Sequence, residues 1–428
     1  MESYKVRPMK KNGSYTVSVP GSKSITNRGL LLAALAEGTS VLKGTLFSDD
    51  SRYFLAALKD LGFSVIIDEE NTTVTVSGLG GRLPKSEGEI YVGSAGTAAR
   101  FLTCMCGLSD GTYIIKASEQ MKKRPMKPLM DLLRKLGADI VFLEEEDHLP
   151  VKITGCGSIS ERKSVELDIS GSTQFLSALL MTSVMVRSGL DINITSTKKF
   201  GSYIGITMKM MEQFGIKVNF DGNSYHTPVN QSYTAITYQI EPDVSAACYF
   251  FGMAALTASK VKVLNVSKDS MQGDINFLNV LEKMGCRVLF EEDGVVVWGP
   301  ESKLHGIEVD MNNFSDQPMT LAAISVFADS KTKITGIGHI RLQETDRLRA
   351  IINELTRMNI KTEHGEDYIV IYPGQPSPAE IETYDDHRMA MAFTLTGLVR
   401  EGIVIKNPMC CRKTFENYFE IIDRICEA

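Results

Sequence analysis

No framework of paired cysteines runs through this 428-residue sequence. Its eight cysteines are scattered, and neither Cys104/Cys106 nor Cys410/Cys411 has the spacing of a zinc knuckle or a CxxC redox site. Free thiols in a reducing cytoplasm are expected. Long apolar runs are missing too: stretches such as Leu30–Ala36 stop far short of the roughly 18 residues that a membrane span needs. The opening MESYKVRPMKK holds no apolar stretch that could act as a secretory signal. Nor is positive charge in excess. Fifty-two acidic against 46 basic residues give −6, which speaks against a general nucleic-acid binder. Familiar cradles are also absent. With Gly21 taken as the second glycine of GxxxxGK[ST], Thr16 stands where the first belongs, and GLGGRL at Gly78 breaks off a GxGxxG pattern at Leu83. There is no HExxH, nucleophile elbow or plausible metal cluster. The expectation is a cytoplasmic chain with no cofactor, no metal, and neither nucleic acid nor membrane as partner.

What is present is an ordinary folding composition, 43% hydrophobic and 23% charged, in a chain too long for one core. Two domains of about 200 residues are therefore expected. An internal repeat refines this. Five segments share an apolar helix end, a Gly or Asn, a strand, an acidic turn and a second strand. Their pivots are Gly62, Gly137, Gly215, Gly285 and Asn359, spaced by 70 to 78 residues. A helix closed by a left-handed residue wants glycine or, failing that, asparagine. Each unit also opens with an apolar helix, near Ser22, Gly96, Thr173, Val244, Gln317 and His387. Second helices are expected near Asp50, Arg124, Tyr203, Gln272, Thr345 and Lys413. The sixth unit lacks its closing hairpin, which the N-terminal strands around Tyr4–Val6 and Ser14–Val19 are expected to complete. Six units divide into three and three, with residues 21–241 in one domain and residues 1–20 plus 242–428 in the other. A cleft between two such domains is the expected place for a small-molecule site.

The helix openings carry more chemistry than capping needs. PGSKSITNR places Lys23, Ser24 and Arg28 beside a helix N-terminus, whose unpaired N–H groups attract phosphate or carboxylate. GSAGTAAR gives a flexible turn ending at Gly96, with Thr97 and Arg100 beyond it. SGSTQFL lines up Ser172, Thr173 and Gln174, where one capping hydroxyl would suffice. Later openings turn acidic, at Asp243, at Asp316 and at Asp386 before His387. For Asp243 and Asp386, ordinary capping is the favoured reading, and for His387 a satisfied structural group. Arg388 in a first turn opposes the helix dipole and wants an anion; Arg124, Arg347 and Lys413, at expected second-helix starts, repeat the argument. If these ends converge, cations, hydroxyls and a few acids would surround a small, doubly anionic substrate.

The strings PGSKSITNR, AGTAAR, KRPM, GSTQFL, SMQGDI, ETDRL, DDHRMAMA and KTFENYF resemble, in order, those of the 5-enolpyruvylshikimate-3-phosphate synthase family. The resemblance implies a two-domain inside-out α/β barrel of six βαβαββ repeats. It also implies transfer of the enolpyruvyl group of phosphoenolpyruvate to the 5-hydroxyl of shikimate 3-phosphate, releasing phosphate, by a monomer without organic cofactor. Carried over by motif, Lys23, Ser24, Arg28, Ser172, Thr173, Gln174, Tyr203, Asp316, His339 and Gln343 would bind shikimate 3-phosphate. Lys23, Gly96, Arg124, Gln174, Arg347, Arg388 and Lys413 would bind phosphoenolpyruvate. Asp316 would be the base toward the 5-hydroxyl, and Glu344, with Lys23, would serve proton transfer at carbon. Inhibition by glyphosate is implied by the unsubstituted Gly96.

Three departures from the family pattern bear on affinity. Gln343 and His339 stand where the family usually has Lys and Asn. Before Tyr203 the family usually shows a serine and a Lys/Arg-Pro pair where this chain has KKFGSY, so that phosphate contact is unassigned. Phe101 replaces a frequent proline. The sister transferase acting on UDP-N-acetylglucosamine relies on a loop cysteine, which Met121–Met126 lacks, and its Lys-Asn motif is Lys23-Ser24 here. A degenerate paralogue that only binds anions is the non-enzyme alternative, against which Lys23, Asp316, Glu344, Arg388 and Lys413 all speak.

Overall fold

Left-handed backbone closes the repeats where the pivots stand: φ is 94° at Gly62, 111° at Gly137, 98° at Gly215, 102° at Gly285 and 60° at Asn359. The structure, a computed structural model, describes residues 2–427. Its chain divides into two compact units, Gly21–Glu241 and Met1–Pro20 with Pro242–Ala428. We call them the first and second unit.

Each repeat of the first unit builds a small mixed sheet. Glu87–Tyr91 runs parallel to Thr112–Lys116, which pairs antiparallel with Val151–Thr154, which pairs in turn with Asp139–Phe142. Lys163–Leu167, Leu190–Ile194, Ser224–His226 and Asn219–Phe220 repeat that order. In the first sheet Ala36–Lys43, Thr73–Leu79 and Ser64–Asp68 follow it as well. There the opening place is filled from far along the chain, by Tyr233–Thr234 and Thr237–Gln239, both parallel to Ala36–Lys43.

The second unit uses the same device. Ser14–Val17 runs parallel to Lys260–Leu264, the place an opening strand holds elsewhere. It therefore begins the fourth repeat and does not help complete the sixth, as its position near the N-terminus had suggested. Ser3–Lys5 alone does that, antiparallel to Ile403–Lys406, which lies parallel to Ala379–Ile381. The fifth sheet is Glu308–Asp310, Thr332–Thr335, Tyr368–Ile371 and Thr362–His364.

Opening helices are apolar on all sides, which fits only a buried place. Gly96–Gly107 is buried at every residue, and His387–Val399 at every residue from His387 to Leu398. Second helices are amphipathic and cover one face: Lys127–Leu136 buries Leu129, Met130, Leu132, Leu133 and Leu136 and leaves its charges outside. In each unit the opening helices pack on one another inside the layer of sheets. At about 1.5–3 kcal/mol for each large apolar side chain, this burial is the main support of the unit. Polar side chains near the N-termini of these helices are then the ones with nothing apolar to do.

Two expected helix starts differ. Arg124 lies three residues ahead of Lys127–Leu136, after the short turn Glu119–Lys122, because Pro125 disfavours helix at the residue before it. Lys413 ends the 3-10 stretch Pro408–Lys413, and the last helix begins at Tyr418.

Candidate active site

In the first unit, the helix Lys23–Leu35 has no side-chain cap, and Lys23 Nζ lies 3.6 Å from Asp50 Oδ2. Arg28, one turn on, is fully buried and bonded to neutral groups only. Nε donates to Thr207 Oγ1 (2.8 Å), Nη1 to the Ser24 carbonyl (2.9 Å), and Nη2 to Ser177 Oγ (3.3 Å) and the Tyr203 carbonyl (3.2 Å). Burial lowers its pKa to about 10. Four of the five guanidinium N–H groups are thus taken by the protein, which ties the first opening helix to the third repeat. Phe101 is explained here: it is fully buried, with the Arg28 guanidinium 5.5 Å from its ring centre.

The second opening gathers cations. A Cβ at Gly96 would collide with Arg124 Nη1 and lie 2.7 Å from Arg100 Nη1, so glycine is what lets both guanidiniums reach the helix N-terminus. Arg100 Nη1 donates to the Gly96 carbonyl (3.0 Å), and its guanidinium lies 5.4 Å from the Phe175 ring centre. Its Nε has no partner among the described residues. Burial, and then the charge of Arg124, hold its pKa well below the ordinary range. At the third opening, Ser172 Oγ accepts the Gln174 amide (3.2 Å), and Gln174 Nε2 reaches Thr97 Oγ1 (3.5 Å). One hydroxyl of the row caps the helix, and Thr173 makes no cap bond.

The second unit holds the acids, and it pairs them. Asp316 accepts from Arg347 Nη1 (3.0 Å) and Arg388 Nη2 (2.7 Å). Arg347 also donates from Nε and Nη2 to Asp386 (2.7 and 3.3 Å) and from Nη1 to Gln343 Oε1. Burial alone would lower the Arg347 pKa, but Asp386 and Asp316 hold it above the ordinary value. Asp386 is also a helix cap, its carboxylate accepting the Arg388 amide (2.9 Å). Glu344 Oε2 lies 3.1 Å from Lys413 Nζ and 3.4 Å from His387 Nδ1. His339 sits half-buried in the 3-10 turn Gly338–Leu342.

Three cations and three carboxylates therefore neutralise one another in the second unit, whereas the first carries mainly cations. Arg347, Arg388 and Lys413, whose places at helix starts call for an anion, each have a carboxylate partner within the second unit. Glu344, Asp386 and His387 have ligand atoms within 4.8 Å of one another, a geometry a metal could use. Lys413 and Arg347 already hold those carboxylates, so a further cation would meet repulsion.

A family model described as EPSP synthase (3-phosphoshikimate 1-carboxyvinyltransferase) matches residues 9–422. The chain belongs to the EPSP synthase family. It is 44% identical over 405 residues to the 3-phosphoshikimate 1-carboxyvinyltransferase of Trichormus variabilis, covering 94% of each chain. With that of Vibrio vulnificus it is 40% identical over 432 residues, covering 100% of both. EPSP synthase from Acinetobacter baumannii superposes with a TM-score of 0.84 at 26% identity, over 100% of this chain and 98% of that one. The enolpyruvyl transferase NikO from Streptomyces tendae shares the fold, with a TM-score of 0.76 at 15% identity over 99% and 97% of the two chains. No helix among the described residues is long and apolar enough to cross a membrane.

Within this EPSP synthase family member, the KKFGSY departure has a definite form. Ser196 Oγ donates to the Lys198 carbonyl (2.9 Å) and accepts the Ile169 amide (3.3 Å), tying this loop to the one before Ser172. Lys199 Nζ turns back to the Ile194 carbonyl. The Lys198 side chain lies over Gly201, its Nζ 3.6 Å from where a Cβ would be. The sequence pattern named Arg100 beside Gly96 without giving it a role, and passed over buried Asp274 in SMQGDI. Their signal was a lone charge in an apolar or small-residue setting.

Proposed function

We propose that the residues described above divide the two substrates of EPSP synthase chemistry between them. The reaction joins the 5-hydroxyl oxygen of shikimate 3-phosphate to C2 of phosphoenolpyruvate while C3 takes a proton. Phosphate then leaves as C3 gives the proton back. The C–O bond of phosphoenolpyruvate breaks, so no phosphoryl group is transferred.

On this reading Ser24, Arg28, Ser172, Thr173, Gln174 and Tyr203 hold shikimate 3-phosphate from the first unit, and Asp316, His339 and Gln343 from the second. Lys23, Gly96, Arg124 and Gln174, with Arg347, Arg388 and Lys413, take the carboxylate and phosphate of phosphoenolpyruvate. Planar guanidinium forks suit such groups. Both sets serve one reaction, so their assembly around the substrates is part of the proposal, and closure then excludes water.

The observation that carries the reading is that Asp316 and Glu344, the acid–base candidates, are each held by cations assigned to phosphoenolpyruvate. An incoming carboxylate and phosphate compete for those cations and release the two acids. Asp316 then takes the proton of the 5-hydroxyl, and Glu344, with Lys23, manages the proton at C3. The cations that remain around the substrate stabilise the charge that moves in the transition state. We further take the chain to be a cytoplasmic monomer without a metal; eight free cysteines support the reducing compartment.

The test is phosphate release from phosphoenolpyruvate with shikimate 3-phosphate, beside UDP-N-acetylglucosamine as the alternative acceptor. Turnover with the first acceptor alone is expected. A folded protein inactive with it would overturn the reading.

A further inference from the structure

Asp274 is buried in the 3-10 turn Gly273–Asn276, and neither substrate has been assigned to it. Its hydrogen-bond partners are neutral. Oδ2 accepts from Ser245 Oγ (2.8 Å), Oδ1 accepts from Gln317 Nε2 (3.1 Å), and its carbonyl faces the Cys248 thiol at 3.6 Å. Gln317 directly follows Asp316 and is wholly buried. Its amide orientation is fixed from both ends, because Oε1 accepts the Thr320 hydroxyl (2.9 Å). The Gln317 amide closes the turn onto the Phe314 carbonyl (3.1 Å), so the turn that carries Asp316 hangs on the Asp274 carboxylate.

The charges make the second half of the argument. Even where an incoming anion competes for them, the two guanidiniums beside Asp316 still favour its carboxylate and so oppose its taking a proton. A base in that position needs negative charge behind it. Asp274 supplies it: the charged groups that act on it are Asp316, which raises its pKa after burial does, and Arg388, which lowers it. On the helix packed against that turn, Cys248 faces Asp274 and Tyr249 faces Asp316 and Arg388, and burial keeps both the thiol and the phenol protonated.

We propose that Asp274 is a positioning residue for Asp316: through Gln317 it fixes the Asp316 turn, and its negative charge keeps Asp316 basic between Arg347 and Arg388. The proposal rests on Asp316 being the base toward the 5-hydroxyl. Asp274 itself exchanges no proton with substrate. The hydroxyl proton passes to Asp316, and the O–H electron pair becomes the new bond to C2.

The test is the pH profile of kcat for the full chain with both substrates, measured for wild type, Asp274→Asn, Ser245→Ala and Asp316→Asn. Asp274→Asn keeps shape and an acceptor for Gln317 but removes the charge. Its acidic limb moves to lower pH by roughly half a unit to one unit, with a lower plateau and a phosphoenolpyruvate KM within about twofold of wild type. Ser245→Ala removes a hydrogen bond that holds Asp274 ionised, so Asp274 gives up its charge more readily and the limb moves the same way as in Asp274→Asn, by less. A purely structural role lowers kcat in both with the limbs in place, and limbs that stay put or move to higher pH overturn the proposal. If Asp274→Asn fails to fold, the downward shift in Ser245→Ala still decides. An inactive Asp316→Asn beside unmoved limbs overturns this proposal alone, while a fully active Asp316→Asn overturns the base assignment and this proposal with it.

Discussion

Asp316 Oδ2 lies 2.7 Å from Arg388 Nη2, and its Oδ1 takes Arg347 Nη1 at 3.0 Å. Asp316 and Arg388 stand at the starts of different helices, Pro318–Ser325 and His387–Val399, whose buried apolar faces pack together. Helix packing thus presses an acid and a base together at their polar ends. Such a buried pair contributes little net stability, because desolvation offsets the attraction. On the function proposed above, its value lies in being exchangeable for an anionic substrate.

Asp316→Asn keeps the size of the side chain and an acceptor for Arg388, but loses the ability to take a proton. We expect kcat to fall by about two or more orders of magnitude, with shikimate 3-phosphate binding nearly unchanged. Rapid-quench turnover beside equilibrium binding separates these; near-normal turnover would remove Asp316 as the base.

Arg388→Lys retains charge but loses the planar fork. Because Arg388 already pairs with Asp316, a lysine should pair there and reach an incoming carboxylate poorly. The expected outcome is a rise of about tenfold or more in the phosphoenolpyruvate KM with a smaller change in kcat. An unchanged KM contradicts the assignment.

At Gly96 the new Cβ of an alanine meets the ends of Arg124 and Arg100, which are the far ends of flexible side chains. The helix should therefore form normally, with a Tm close to wild type, while the guanidiniums are pushed from its N-terminus. Weaker phosphoenolpyruvate binding with intact folding is expected, read by KM and thermal melting together. A large loss of Tm would show that Gly96 serves packing instead.

The repeat was legible because a left-handed helix end demands glycine or asparagine, and such a demand recurs visibly at Gly62, Gly137, Gly215, Gly285 and Asn359. The helix openings were legible because a charge such as Arg388 stands out at the head of an apolar run. What the pattern along the chain could not carry was pairing across it. Arg347 meets Asp316 and Asp386 only because the helix starts of the second unit converge, and nothing local in ETDRL announces that its arginine is already neutralised. Ser14–Val17 was misplaced for the same reason, since its partner Lys260–Leu264 lies far along the sequence and parallel pairing leaves no turn to read. Asp274 was overlooked because its task is to hold Gln317, not a ligand.

The hairpin of Asn219–Phe220 and Ser224–His226 gives a last prediction, one of pH. His226 bridges two acids, with Nδ1 2.7 Å from Asp191 Oδ1 and Nε2 3.1 Å from Asp221 Oδ2, and Asp191 also takes Arg162. The hydrogen bonds to Asp191 and Asp221 raise the His226 pKa above its ordinary value. Arg162 first, and His226 after burial's opposing effect, lower Asp191 to about 2, while the Asn223 and Ser224 amides and then His226 lower Asp221 to about 2. For a histidine raised on folding, the stabilisation is complete below its unfolded pKa, about 6.5, and is lost as pH rises through the higher folded value. Both acids stay ionised throughout that window, so His226 alone sets it. Amide exchange in the hairpin, corrected for its intrinsic pH dependence, should be slow at pH 6 and faster above the folded pKa. His226→Gln should abolish that step, and a histidine titrating at or below the ordinary value by NMR would show that the two contacts do not hold in solution.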